Sequence, residues 1–95
     1  MYFKRKELEK FRSFKGPLID VRSPSEYYKG HMPNSINIPL FNNEERSYVG
    51  TKYKNSGRRK AVLIGLEIIE EKIDEIIYKI QNTEREFSLK TNDNS

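Results

Sequence analysis

Ninety-five residues and 11.3 kDa leave room for one small domain, and a cysteine count of zero excludes disulfides, thiolate metal sites and a cysteine nucleophile. Hydrophobic residues make up 35% of the chain against 34% charged, with a mean hydropathy of -0.87, which argues against a large core. The net charge of +4 is concentrated in two places: residues 1–16 carry six Lys or Arg against two Glu, and residues 51–60 carry Lys52, Lys54, Arg58, Arg59 and Lys60 with no acid.

From Lys4 to Phe14 the apolar residues Leu8, Phe11 and Phe14 recur every third position, which predicts a short amphipathic helix. Gly16-Pro17 stops it. Pro17-Leu18-Ile19-Asp20-Val21 is an apolar run bounded by turn residues and reads as a buried strand of a parallel sheet. Ser23-Pro24-Ser25-Glu26 is a helix start: Ser23 as N-cap, Pro24 at the first helical position and Glu26 closing a capping box. Gly30 ends that helix after barely two turns. Ser35-Ile36-Asn37-Ile38-Pro39 predicts a second short strand with Ile36 and Ile38 on one face. The outline is a β-α-β unit, or a strand with a hairpin-like return, in an α/β domain.

Asn42 or Asn43 caps a further helix, with Glu44 and Glu45 near its positive end, and Asn55-Ser56-Gly57 breaks it. From Arg59 to about Asn82, Val62, Leu66, Ile69, Ile73, Ile76, Ile77 and Ile80 keep helical spacing. A straight helix of that length runs on the order of 35 Å, too long for so small a domain to cover, so a kink is expected near Gly65 or between Glu70 and Lys72. Arg85-Glu86-Phe87-Ser88-Leu89 alternates weakly and reads as a third strand. The ordered part is expected to end near Leu89, leaving residues 90–95 as a polar, fraying tail.

The longest apolar stretch, Ala61 to Leu66, is six residues counting Gly65, far short of the roughly 18 that span a bilayer, and the N-terminus is charged where a signal peptide is apolar. The chain therefore reads as soluble and cytoplasmic, with no membrane partner. The cluster Lys52, Lys54, Arg58, Arg59 and Lys60, beside Tyr48 and Tyr53, is the candidate surface for a polyanion such as RNA. Solvated surface charge is the alternative.

The stretch Asp20-Val21-Arg22-Ser23-Pro24-Ser25-Glu26-Tyr27-Tyr28-Lys29-Gly30-His31-Met32-Pro33-Asn34-Ser35-Ile36-Asn37-Ile38-Pro39 resembles the N-terminal motif of rhodanese domains: Asp-x-Arg, three residues, Glu and an aromatic, then Gly-His-Ile/Met, a turn, and x-Asn-Ile/Leu-Pro. Beyond it, Pro39-Leu40, Asn43-Glu44-Glu45-Arg46, Val49-Gly50-Thr51, Tyr53-Lys54, Ala61 and Gly65-Leu66-Glu67 look like the tRNA 2-selenouridine synthase branch. The resemblance covers roughly residues 17 to 80. It implies an α/β rhodanese-like domain, with a parallel sheet flanked by helices, and a helix-rich, incomplete version of it over residues 1–89. It also implies exchange of sulfur for selenium at the wobble 2-thiouridine of tRNA, with selenophosphate as donor.

The motif residues Asp20, Arg22, Glu26, His31 and Asn37 read as structural. Asp20 is an ion-pair partner or a turn acceptor, and Glu26 belongs to the cap. Arg22 either holds an anionic substrate or pairs with Asp20 or Glu26. His31 is the only histidine and suits a bond to backbone; a general-base role needs a nucleophile partner. In rhodanese domains the nucleophile is a Cys, which in this branch opens a Cys-x-Arg-Gly-Gly loop, and these synthases add a P-loop domain. Neither the loop nor a Gly-x-x-x-x-Gly-Lys-Ser/Thr motif occurs here, and a Ser cannot stand in, because its alkoxide forms far less readily than a thiolate. No catalytic residue and no cofactor or metal site is therefore assigned. The expected partners are tRNA and a complementing chain that carries the Cys loop and the P-loop domain. The alternatives are a non-catalytic rhodanese-like binding module and an inactive gene remnant.

Overall fold

The computed structural model describes residues 16–92; the helix expected over Lys4–Phe14 lies outside them. In chain order the elements are β1 (Ile19–Asp20), α1 (Pro24–Lys29), β2 (Ile36–Asn37), α2 (Asn43–Ser56) and α3 (Arg58–Asn92). β1 and β2 pair in parallel, with Ile19 opposite Ile36 and Asp20 opposite Asn37. Main-chain bonds from Ile36 N–H to Leu18 O (2.9 Å), Ile38 N–H to Asp20 O (3.0 Å) and Leu40 N–H to Val21 O (3.1 Å) carry the pairing along both segments. The outline is thus β-α-β, not a hairpin return, in an α/β and helix-rich chain.

Local chemistry sets the helix ends. Ser23 caps α1, with Pro24 in its first turn; the Ser23 side chain accepts from Glu26 N–H while the Glu26 carboxylate accepts from Ser23 N–H. Asn42 and Glu45 form the same reciprocal pair at the start of α2, both bonds 2.8 Å. Each box satisfies two amides that a bare helix end leaves without partners. Between α1 and β2, Pro33 and Asn34 form a tight turn in which Asn34 takes φ 67 and Ser35 donates to Met32 O through both N–H (3.1 Å) and Oγ (2.7 Å). Asn tolerates that left-handed conformation better than most residues. A single residue, Gly57, joins α2 to α3 at φ 86, where a side chain brings strain.

Two sequence expectations change. Arg85–Leu89 is not a strand but part of α3, which continues through Lys90, Thr91 and Asn92. Apolar alternation over five residues without a partner edge is a weak signal, whereas Phe87 stands seven residues after Ile80 and prolongs the helical period. Ile36 and Ile38, expected on one face, are unequally covered: Ile38 is buried and Ile36 is 44% exposed. The kink falls at Lys72, whose φ of -125 and ψ of 17 interrupt an otherwise continuous helix.

Packing centres on α2 against α3. Ile38, Ala61 and Ile76 are the buried apolar residues. Gly65 is buried as well, and the Phe41 ring lies so close that a Cβ added at Gly65 meets Phe41 Cζ at 3.2 Å. The glycine marks a close approach of Phe41 to α3, not a break in it. The Lys72 ammonium pairs with the Glu45 carboxylate, so the α3 kink is tied to the capped start of α2. That hydrogen bond from Lys72, followed by the one from Asn42, holds the Glu45 carboxyl below its ordinary range.

Two outcomes follow. Gly65→Leu forces Phe41 out of its seat, and thermal or urea unfolding should register a loss of about 1–3 kcal/mol; unchanged stability shows that the ring moves aside freely. Because the folded-state pKa of Glu45 is depressed, its contribution is present above the unfolded carboxylate value and disappears as pH falls through the lower folded value. Stability should therefore drop below about pH 4, and Glu45→Gln should be less stable at neutral pH and flatter across the acid range. A variant that keeps the parent's full acid dependence contradicts this role for Glu45.

Candidate functional site

The polar side chains of the motif gather at the carboxyl end of β1, where the chain turns into α1. There Asp20 accepts three kinds of hydrogen bond from one residue: Arg22 backbone N–H at 3.0 Å, Arg22 Nε at 3.0 Å to Oδ1 and 3.2 Å to Oδ2, and Arg22 Nη2 at 2.7 Å to Oδ2. This is a forked guanidinium–carboxylate pair. It holds the Asp20 carboxyl below its ordinary range, chiefly through the Arg22 side chain. Arg22 Nη2 also donates to Gly30 O at 2.7 Å, so one guanidinium ties the end of β1 to the end of α1. Asn37 on β2 completes the frame, its Nδ2 donating to Asp20 O and to Arg22 O, each at 2.9 Å.

Glu26 is engaged three ways: with Ser23 N–H, with Ser23 Oγ at 2.7 Å and with Arg46 Nε at 3.3 Å. The Ser23 hydroxyl is the main cause of its lowered pKa. His31 Nδ1 lies 2.7 Å from Tyr27 O, so Nδ1 carries the proton in that bond, and the imidazole stacks on the Tyr27 ring with centroids 3.6 Å apart. Tyr27 in turn donates its hydroxyl to Ser35 O at 2.6 Å. Asp20, Arg22 and Asn37 thus meet in one network, whereas Glu26 and His31 serve the two ends of α1. Arg22 takes Asp20 as its carboxylate partner; Glu26 takes Arg46, which sequence reasoning passed over because nothing local links positions twenty residues apart.

Between α1 and α2 lies an open groove of about 750 Å³, whose lining includes Ser25, Glu26, Arg46, Ser47, Tyr53 and Lys54. Ser25 N–H bonds Asn43 Oδ1 across it at 2.8 Å. The groove leads from the motif toward the basic cluster. Lys52 and Lys54 stand in the last turns of α2, and Arg58, Arg59 and Lys60 in the first turn of α3, on either side of Gly57. Lys52 Nζ sits 5.5 Å from the centre of the Tyr48 ring, a cation–π distance. Lys54, Arg58, Arg59 and Lys60 are exposed and pair with no acid among the described residues. The first turn of α3 contains no acid either, so three cations crowd the end of the helix where its dipole is already positive. Among the described residues no group of three His, Asp or Glu side chains converges on a cation-sized space, and no helix is long and apolar enough to cross a membrane.

Curated relatives match over more than half of the chain. The chain is 54% identical over 57 residues to the tRNA 2-selenouridine synthase of Proteus mirabilis (strain HI4320), covering 60% of this chain and 16% of that protein. It is 55% identical over 53 residues to the enzyme of the same name from Nitrosomonas eutropha, covering 56% of this chain and 14% of that protein. This chain thus matches about one seventh of the length of those relatives. Among solved structures, the N-terminal domain of a Clostridium difficile 630 protein named for ATP/GTP binding superposes with a TM-score of 0.72 at 35% identity, covering 86% of this chain and 61% of that one. The rhodanese-like domain model matches residues 4–85, and with the parallel β-α-β unit and its Asp20–Arg22–Asn37 frame in place, the chain belongs to the rhodanese-like domain family.

Proposed function

We propose that these 95 residues are the framework portion of a selenotransferase-type rhodanese domain. In that reading they act in replacement of sulfur by selenium at a wobble 2-thiouridine of tRNA only together with a polypeptide that supplies a Cys-x-Arg-Gly-Gly loop and a P-loop domain. The observation that carries the proposal is the identity of more than half of the aligned positions, over 57 and 53 residues, to tRNA 2-selenouridine synthases, in a sequence without any thiol. The chemistry supports it. Persulfide or perselenide transfer needs a thiolate that attacks, carries the chalcogen and is stabilised by converging amides. Asp20, Arg22, Glu26 and His31 are each engaged with neighbouring backbone or side chains, so they shape the loops around such a centre and do not replace it.

The acid-free cluster favours a second, compatible role, a non-catalytic module that contacts RNA. Lys52, Lys54, Arg58, Arg59 and Lys60 offer cations to phosphates, and the half-exposed rings of Tyr48 and Tyr53 stand beside them.

Two measurements test these readings. The 95-residue chain alone, given selenophosphate and a tRNA bearing 2-thiouridine, or thiosulfate and a thiol acceptor, should transfer neither selenium nor sulfur; turnover by the purified chain overturns the framework reading. Affinity for tRNA should weaken steeply with salt, and the double variant Arg58→Ala with Arg59→Ala should lower the log–log salt slope by about 1–2. An unchanged slope removes this surface from RNA contact.

A further inference from the structure

The part of α3 that precedes the bend at Lys72 carries exposed apolar residues on one side. Val62, Leu63 and Leu66 are 50, 54 and 57% exposed, and residues 58–71 form one uninterrupted helical stretch. The helical period places these three within roughly 100° of arc, and Arg59 and Glu70 share that arc, one ahead of the patch and one behind it. Ala61 and Gly65, on another side of the same turns, are buried. From Arg59 to Glu70 the patch is about 16 Å long. Exposed apolar residues clustered between charged ones mark a contact surface.

The order of side chains along the patch limits what fits it. Arg59, Leu63, Leu66 and Glu70 run cation, apolar, apolar, anion, and they are spaced evenly about the midpoint between Ile64 and Gly65. Arg59 and Glu70 are both exposed and pair with no opposite charge among the described residues. A second copy of α3 laid antiparallel about that midpoint sets Leu63 against Leu66 of the other copy and Arg59 against its Glu70, twice over. A parallel copy instead sets Arg59 beside Arg59, Glu70 beside Glu70, and the two helix dipoles in the same direction. The patch is therefore self-complementary in one orientation only.

We infer that α3 is a homodimer contact: two copies of this chain pair antiparallel through Arg59, Val62, Leu63, Leu66 and Glu70 in an isologous interface. The two Leu63–Leu66 contacts exclude water at its centre, and an Arg59–Glu70 ion pair closes each end. A contact of about three helical turns is small beside a standard protein interface, so the pair is weak and forms as concentration rises. The inference goes beyond the transfer and RNA readings above. Arg59 belongs to both surfaces, so the contact is tested without RNA and without a chalcogen donor, and its outcome is independent of theirs.

The experiment is sedimentation equilibrium of the full 95-residue chain, from about 10 to about 500 µM. The parent should pass from monomer towards dimer across this range. Arg59→Glu should weaken association about tenfold, and so should Glu70→Arg, because each turns two attractions into two repulsions. Both changes in one chain should restore association to within about threefold of the parent. An equimolar mixture of the two single variants should also associate, since every charge then meets its opposite across the contact. Both positions are exposed, and far-UV circular dichroism checks that the variants keep their helices. A parent that stays monomeric throughout overturns the inference. So do single variants that associate as well as the parent, and a double variant and mixture that stay as weak as the single variants.

Discussion

A parallel strand pair of two residues on each side cannot hold itself together, and the arrangement of the whole N-terminal half depends on what reinforces it. Parallel pairing is normally sustained by several neighbouring strands buried on both faces. Here the reinforcement is polar and local. Asn37 donates from β2 to the carbonyls of Asp20 and Arg22 on the opposite segment, bridging the place where the ladder runs out. Arg22 folds back on Asp20 and reaches Gly30 O, which fixes the return of the chain after α1. Each of these bonds is modest in water, about 1 kcal/mol net. Together they restrict the same short stretch of backbone, so removing one loosens the geometry that the others require.

The second half rests on a different balance. α2 and α3 pack through a small apolar contact, and two unlike contacts tie the start of α2 to α3: the close approach of Phe41 to Gly65 and the Lys72–Glu45 pair. Glu45 is the junction between them, since it also closes the cap of α2. A carboxylate shared between a helix cap and an ion pair couples the start of α2 to the bend of α3. Lys54, Arg58, Arg59 and Lys60, on either side of the α2–α3 joint, are exposed. Their crowding at the positive end of α3 is unfavourable for the helix itself.

Much of this was legible where the signal is local. Ser23-Pro24-x-Glu26 and Asn42-x-x-Glu45 are reciprocal caps that any reading of spacing can find, and Gly57 ends α2 where the periodicity pauses. That the long helix bends followed from its length, but length left the place open between Gly65 and the Glu70–Lys72 stretch, and the structure puts it at Lys72. What spacing could not provide was partnership at a distance. Arg46 meets Glu26, Asn43 meets Ser25 N–H and Lys72 meets Glu45 because β2 and the α2–α3 turn bring those segments together. The alternation over Arg85–Leu89 misled for a related reason, since a strand is defined by an edge to pair with and five residues do not reveal one. Apolar periodicity likewise placed Val62 and Leu66 on the helix without saying whether their side of it was covered.

The division between framework and reactive chemistry follows from how the motif side chains are occupied. A group that acts on substrate needs a free donor, acceptor or lone pair aimed into accessible space. The Asp20 carboxylate is filled by the Arg22 fork, Glu26 by its cap and Arg46, and the His31 Nδ1 proton by Tyr27 O. These contacts lower the pKa of both carboxyls, Asp20 chiefly through the Arg22 side chain and Glu26 chiefly through the Ser23 hydroxyl. The motif shared with sulfur and selenium transferases is therefore, in its own bonds, a device for holding backbone.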